Sequence, residues 1–243
     1  MKSADTKRSP KRMSRMSGLT FVELMVVLTI AAILGAIAVP SVQRITQALR
    51  IGGDLRDLNG AVAQAKMNAA ADFTHARARA NLALGAFPAN TFQVEIWNKV
   101  GPGGGCWQTV GDAVNPCTVP ASPVQTLSQG VSFGVDNVGA PPPNTQTVFG
   151  QAAQCGNVPA GVGAAAGSIP NTACIEFNSR GLPVDATPGA TWGTPYGNGA
   201  FYINNATAAS AGTMVYALTV GATGYSISWS TGDASGNASW KHQ

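Results

Sequence analysis

An α+β fold, with one long N-terminal helix followed by an antiparallel β-rich head, is what this chain predicts. Three observations carry that reading. The run from Leu19 to Val39 holds 21 residues and one charge, Glu23. Apolar residues then recur at three- and four-residue spacing as far as Ala69. From Arg77 onward the texture turns to short alternating stretches separated by Gly, Pro and Asn. A helix followed only by strands favours segregated layers, with the helix laid across an antiparallel sheet or a two-sheet sandwich. The length beyond the helix suits one domain of roughly 150 residues. No repeat of roughly 20 to 50 residues is evident, which argues against a solenoid or propeller.

The first element is long enough to cross a membrane. Lys2, Lys7, Arg8, Lys11, Arg12 and Arg15 precede it, against the single acid Asp5. A helix from Leu19 to Val39 reaches roughly 30 Å, the thickness of a bilayer's hydrocarbon core. The basic front stays cytoplasmic, so everything after Pro40 lies outside. A carboxylate such as Glu23 costs roughly 2.5 to 3.5 kcal/mol at mid-bilayer and less near the interface, so it needs a partner and a task. Two other readings compete. Ala36-Ile37-Ala38 fits an ordinary secretory cleavage site, but Glu23 and the helical pattern continuing past Pro40 argue against one. A plain anchor explains the length but neither Glu23 nor the Gly18-Leu19 junction.

Gly18-Leu19-Thr20-Phe21-Val22-Glu23, followed by the apolar run and Pro40, resembles the class III signal of type IV prepilins and type II secretion pseudopilins. The resemblance implies that a prepilin peptidase cuts between Gly18 and Leu19 and that Leu19 is N-methylated. It assigns Phe21 and Glu23 to filament assembly, with Glu23 neutralising the N-terminal amine of a neighbouring subunit. The physics agrees, because an ammonium and a carboxylate enter an apolar core only as a pair. Pro40 stands where many pilins carry a helix-kinking proline, and it removes one helical hydrogen bond. Leu19 departs mildly from the family, whose first mature residue is often Phe or Met. The implied organisation is a cleaved leader 1–18, a transmembrane and filament-core helix 19–40, an amphipathic helix 41–76 and an extracytoplasmic head 77–243. The implied partners are the prepilin peptidase, other pilin or pseudopilin subunits, an inner-membrane assembly platform and the inner membrane itself. The implied location is a single pass in the inner membrane, then a pilus or pseudopilus filament.

Cleavage would change the charge argument. The chain carries +4 overall, but the leader holds six bases and one acid, leaving nine bases and ten acids in the mature part. The basic pI therefore says nothing about nucleic acid. From residue 81 onward there are three bases and six acids, so the head is expected to be mildly acidic.

The helix continues through Val42, Ile45, Leu49, Leu58, Val62, Ala65 and Ala69, an apolar stripe suited to lie on a sheet. Arg44, Gln47, Arg50, Asp54 and Asp57 fall on other faces. Gly52-Gly53 weakens the helix by roughly 1 kcal/mol per Gly. A close contact or small bend there is the favoured reading, and a hinge the sharper one. The helix should end between Ala71 and Arg77. Strands are expected at 77–84, 91–100, 130–135, 173–178, 199–204, 214–220 and 225–230. The first two form a hairpin through the turn at 85–90, and the last two another through Gly221-Ala-Thr-Gly224. The Gly/Pro-rich stretches at 140–143 and 156–170 read as low-charge surface loops.

The order helix, Arg-containing hairpin, Cys174-Ile-Glu-Phe-Asn-Ser-Arg-Gly181 and final Gly-turned hairpin is similar to the GspH and FimT pseudopilins. Phe177 and Gly181 fit that family's Phe-x-x-x-Gly turn. Some DNA-binding members carry Gly-Arg-x-Arg at the last hairpin, whereas here Gly224 is followed by Tyr225-Ser226-Ile227. Phosphate binding needs clustered Lys or Arg. Arg77, Arg79 and Lys99 could form a small basic spot, but alternate residues on a strand more often solvate one face. A DNA- or surface-binding pilin is thus the alternative function, and nucleic acid is disfavoured.

Cys106, Cys117, Cys155 and Cys174 are even in number in an exported head, which favours disulfides. Of the three possible pairings, the sequential one is expected because each bridge would clamp a Gly/Pro-rich loop. Each could contribute about 3 kcal/mol by loop closure. A zinc site would need closer spacing, such as Cys-x-x-Cys, and there is none. Enzyme chemistry finds no support: His75 and His242 lie near no nucleophile in sequence, there is no Gly-x-Ser-x-Gly, and 161–167 misses the dinucleotide spacing. No cofactor, metal or catalytic residue is expected. Trp97, Trp107, Trp192, Trp229 and Trp240 read as core and sheet-face residues rather than a sugar platform, with an adhesive patch the alternative.

Overall fold

One helix, α1, runs Phe21–Ala71 and includes position 40. The structure, a computed structural model, describes residues 20–85, 87–111, 117, 124–136, 138–159, 167–186, 198–205, 214–232 and 239–243. The helix stops where Phe73 takes a left-handed backbone, φ 47°. The Thr74 amide then returns to the Ala69 carbonyl at 3.2 Å, a Schellman-type closure in which Phe stands where glycine is usual. The chain divides into two compact units, Met1–Ile45 and Thr46–Gln243.

Among the described residues, the second unit contains the rest of α1 and eleven strands, taken in chain order. The first six are β1 (Ala76–Asn81), β2 (Thr91–Asn98), β3 (Cys106–Thr109), β4 (Gln125–Thr126), β5 (Ser132–Phe133) and β6 (Thr172–Phe177). They are followed by β7 (Pro183–Val184), β8 (Asn198–Asn204), β9 (Val215–Gly221), β10 (Ser226–Thr231) and β11 (Lys241–His242). One sheet has the order β3-β2-β1-β6-β7, with β4 also on β2; the other has the order β11-β10-β9-β8-β5. Every named pairing is antiparallel.

Of the two sequence-level options, the two-sheet arrangement is the one found. The β1/β2 hairpin pairs Ala76 with Ile96 through Asn81 with Thr91. The β9/β10 hairpin turns at Gly221–Gly224, where the Gly224 amide donates to the Gly221 carbonyl at 2.8 Å. Near residues 130–135 only Ser132–Phe133 pair as strand. Strands β3, β4, β7 and β11 were not anticipated; each has two to four residues, too few to show a period.

The core follows from alternation. Ala76, Ala78 and Ala80 on β1, Phe92 and Val94 on β2, and Ala173, Ile175 and Phe177 on β6 meet Ile51, Leu55, Leu58, Val62, Ala65 and Ala69 of α1. Phe201, Ile203, Leu218 and Val220 of the second sheet join the same cluster. Alanines on β1 are poor strand formers; here they stand in a core whose helix also contributes alanines, which keeps the layers close. The second sheet buries its other face too. Ala200, Tyr202, Val215, Ala217 and Trp229 form a cluster with Val138, Phe149 and Trp240. The 138–152 stretch is therefore more than a surface loop: its low charge matches the apolar sheet face it covers. Gln151 continues the edge of β8, accepting from the Tyr202 amide at 3.0 Å and donating to its carbonyl at 2.7 Å.

The packed stripe of α1 differs from the expected one. Leu58, Val62, Ala65 and Ala69 lie on it, but Val42, Ile45 and Leu49 are exposed and Asp54 is buried. Asp54 fits there because the Ser128 amide and hydroxyl donate to its carboxylate at 3.0 and 2.8 Å. Gly52 and Gly53 face open space, so no close contact requires them. Two other glycines are required. Gly181 (φ 71°) and Gly224 (φ 75°) turn the two sheets against each other and against Lys66 of α1, whose ammonium donates to the Gly224 carbonyl at 2.9 Å.

Candidate functional site

The start of α1 is a capping box. Thr20 is the N-cap, and its hydroxyl accepts from the Glu23 amide at 3.3 Å. The Glu23 carboxylate reaches back to the Thr20 amide at 3.0 Å and its hydroxyl at 3.1 Å. A capping box fixes where the helix begins and parks the only charge of the apolar run at its first turn. The window Phe21–Ala38 has a mean hydropathy of 2.5, and none of it is buried by the chain itself. An apolar helix of that length left bare implies lipid or other helices around it. Phe21 and Glu23 are both exposed. Gly18 and Leu19 lie outside the described residues, as does the side chain of Pro40, where α1 continues as helix.

The head holds a second polar constellation, which sequence reasoning misread. On the face of the first sheet turned away from α1, Arg77 stands in register between Glu95 of β2 and Glu176 of β6. Both arginines are buried, Arg77 at 1% exposure and Arg79 at 6%. Arg77 Nε donates to Glu95 Oε2 at 2.5 Å, and Arg79 Nη1 donates to Glu95 Oε1 at 3.1 Å. Gln93 Nε2 adds a bond to the same carboxylate at 2.7 Å. Arg77 stacks on Trp107 and Arg79 on Phe87, at 3.9 and 4.6 Å from the ring centroids. His75 Nδ1 lies 2.8 Å from Glu176 Oε1. Burial pushes the Glu95 carboxyl upward, but the Arg77 and Arg79 charges outweigh it and hold the carboxyl below its usual value. Burial lowers the Arg79 guanidinium, against the pull of Glu95.

Arg77 and Arg79 thus form neither a basic spot nor a solvated face. Lys99 is engaged elsewhere, donating to the Phe73 carbonyl at 2.7 Å. Alternating charge on a strand looks the same whether water or a covering segment meets it, so only the tertiary fold separates the two. The one available signal was the registry of Glu95 and Glu176 with the arginines, which requires the strand order.

The structure joins Cys106 to Cys117 and Cys155 to Cys174, the sequential pairing, with Cα separations of 5.5 and 5.0 Å. Among the described residues no three His, Cys, Asp or Glu side chains gather as metal ligands. A cavity of about 360 Å³ beyond the end of α1 is lined by Thr74, Ile96, Trp97, Asn98, Val100 and Val110 among others, with Asp72 and Lys99 its charged members. Trp97 and Trp229 are buried, Trp107 and Trp240 partly so, and Trp192 lies outside the described residues.

Residues 13–39 fit the prokaryotic N-terminal methylation motif. The matched stretch covers the Gly18-Leu19 junction, Glu23 and the apolar run, and it supports a pilin-like subunit processed as a prepilin. Such a motif implies a prepilin peptidase and assembly with other pilin-like chains, and the bare apolar helix is consistent with membrane anchoring. No curated protein and no solved structure matches the chain.

Proposed function

We propose that this chain is a minor pilin or pseudopilin, a structural subunit of a type IV pilus or type II secretion pseudopilus rather than an enzyme. The observation that carries this reading is the methylation motif ending in a capped, bare apolar helix whose first turn holds Glu23. The leader 1–18 is removed, Leu19 is methylated, and the subunit waits in the inner membrane with its head outside. An assembly platform then extracts it. Glu23 exchanges part of its local cap for the amine of a neighbouring subunit, since buried ions are tolerated only when paired. Val42, Ile45 and Leu49, exposed on α1, add apolar surface for neighbouring helices.

The GspH and FimT likeness belongs to the same proposal. Its support is local: the Phe177–Gly181 turn closes with the Gly181 amide on the Asn178 carbonyl at 2.8 Å, and it meets the Gly224 hairpin at Lys66. DNA capture draws no support from Arg77 and Arg79, whose charges are spent on Glu95. The test is Glu23→Ala in the producing cell. Processing at Gly18-Leu19 should persist while incorporation into sheared filaments falls. Wild-type incorporation of the variant would remove the pairing role.

A further inference from the structure

The two disulfides stand in different surroundings. Cys106 and Cys117 are half-exposed, whereas Cys155 and Cys174 are fully buried. Cys174 is the register partner of Arg79, so it shares the charged face of the sheet. Cys155 leads directly into Gly156, whose carbonyl accepts from Arg77 Nη1 at 2.6 Å. That carbonyl is one of two hydrogen-bond acceptors holding the guanidinium, the other being Glu95; Nη2 has no hydrogen-bond partner among the described residues. The segment is also fastened by hydrogen bonds: the Cys174 amide to the Ala153 carbonyl at 2.8 Å, the Ile169 amide to the Cys155 carbonyl at 2.7 Å, the Asn157 amide to the Gly167 carbonyl at 2.8 Å, and the Cys155 amide to Thr172 Oγ1 at 3.1 Å. A buried cation stripped of an acceptor is costly. Whatever releases Gly156 therefore forces water onto Arg77 and opens this face.

We propose that the Cys155–Cys174 bridge is a redox latch on the buried Arg77 centre, and that the Cys106–Cys117 bridge is not. Closing it is a two-electron oxidation. The two thiols give two protons and two electrons to an extracytoplasmic disulfide oxidant, which leaves as its dithiol, and the S–S bond seats Gly156 on Arg77. Once local opening of the segment uncovers the sulfurs, a dithiol reductant reverses the step: it is oxidised to its own disulfide, the two cysteines recover their protons, and the charged face stays open. Only the placing of the oxidant outside the cytoplasm rests on the export reading above; the latch itself does not.

The test is a double-mutant cycle on the full chain in detergent micelles, read by amide hydrogen exchange at 152–157 and 173–177. Removing the bridge by Cys155→Ser with Cys174→Ser should speed exchange by on the order of 30-fold when Arg77 is present, and by less than about threefold in an Arg77→Met background. Equal acceleration in both backgrounds would reduce the bridge to a plain chain cross-link and overturn the latch. Arg77→Lys keeps the charge but cannot reach both Glu95 and Gly156. Should Arg77→Met fail to fold, the Arg77→Lys cycle decides by the same criterion. Cys106→Ser with Cys117→Ser should leave exchange at those amides within about threefold of wild type. Acceleration as large as that from losing the buried bridge would also overturn the proposal.

Discussion

Glu95→Gln removes the one carboxylate shared by Arg77 and Arg79 and leaves their two buried guanidiniums facing a neutral amide. Glu176, in register with Arg77 on the other side, is already engaged with His75. Breaking a buried pair from one side costs about 3–5 kcal/mol, because the remaining charge is uncompensated. Two cations depend on this carboxylate at 2.5 and 3.1 Å, so the upper half of that range is expected. For a domain of this size about 1 kcal/mol moves Tm by roughly 2–4 °C, which places the variant roughly 8–20 °C below wild type. The assay is thermal and urea unfolding of the full chain in detergent, followed by tryptophan fluorescence, since Trp107 stacks on Arg77. The pH dependence has a definite sign. The folded Glu95 carboxyl lies below its usual 4.5, so its contribution is present above that value and is lost as the pH falls through the folded value. The gap between wild type and variant should therefore narrow in acid. A loss below about 1 kcal/mol, the worth of an exposed ion pair, or a gap independent of pH would refute the buried-network reasoning.

Other substitutions probe the rest of the account. Gly224→Ala places a Cβ 3.0 Å from the Gly181 carbonyl oxygen and 3.1 Å from the Lys66 ammonium, on a left-handed backbone; unfolding should show a loss of about 1–3 kcal/mol. Gly53→Ala meets open space and should stabilise the helix by about 0.5–1 kcal/mol in the same measurement. A drop in filament incorporation alongside that gain would mark Gly53 as a hinge retained for assembly. Asp54 runs opposite to Glu95: burial raises its carboxyl despite the Ser128 bonds, so its contribution is greatest in acid and is lost as the pH rises through the folded value. Asp54→Asn should flatten that part of the stability–pH curve.

Much of this fold was legible in the chain because its signals are local. The apolar run located the start of α1, and alternation in Thr91–Asn98 and the glycines around 221–224 located two hairpins. What escaped depends on partners far away in sequence. Asp54 is buried only because Ser128, 74 residues on, donates to it. Val42, Ile45 and Leu49 carry the right period yet are exposed, because a period marks a face of the helix without saying what covers it. Arg77 and Arg79 alternate like a solvated face, but their covering carbonyl, Gly156, arrives from 79 residues beyond Arg77. The motif from Gly18 to Glu23 was legible because its spacing is contiguous, although the Thr20–Glu23 capping box was not read from it; the buried charge centre was not legible, because it exists only once β6, β1 and β2 lie side by side.

The measurement that bears most directly on the central claim is mass spectrometry of the chain's N-terminus, in filaments sheared from producing cells and in their membranes. The account predicts a methylated peptide beginning at Leu19, enriched in the sheared fraction for an external pilus and retained with the membranes for a short pseudopilus. A chain beginning at Met1, or one cut after Ala38, in both fractions would contradict it.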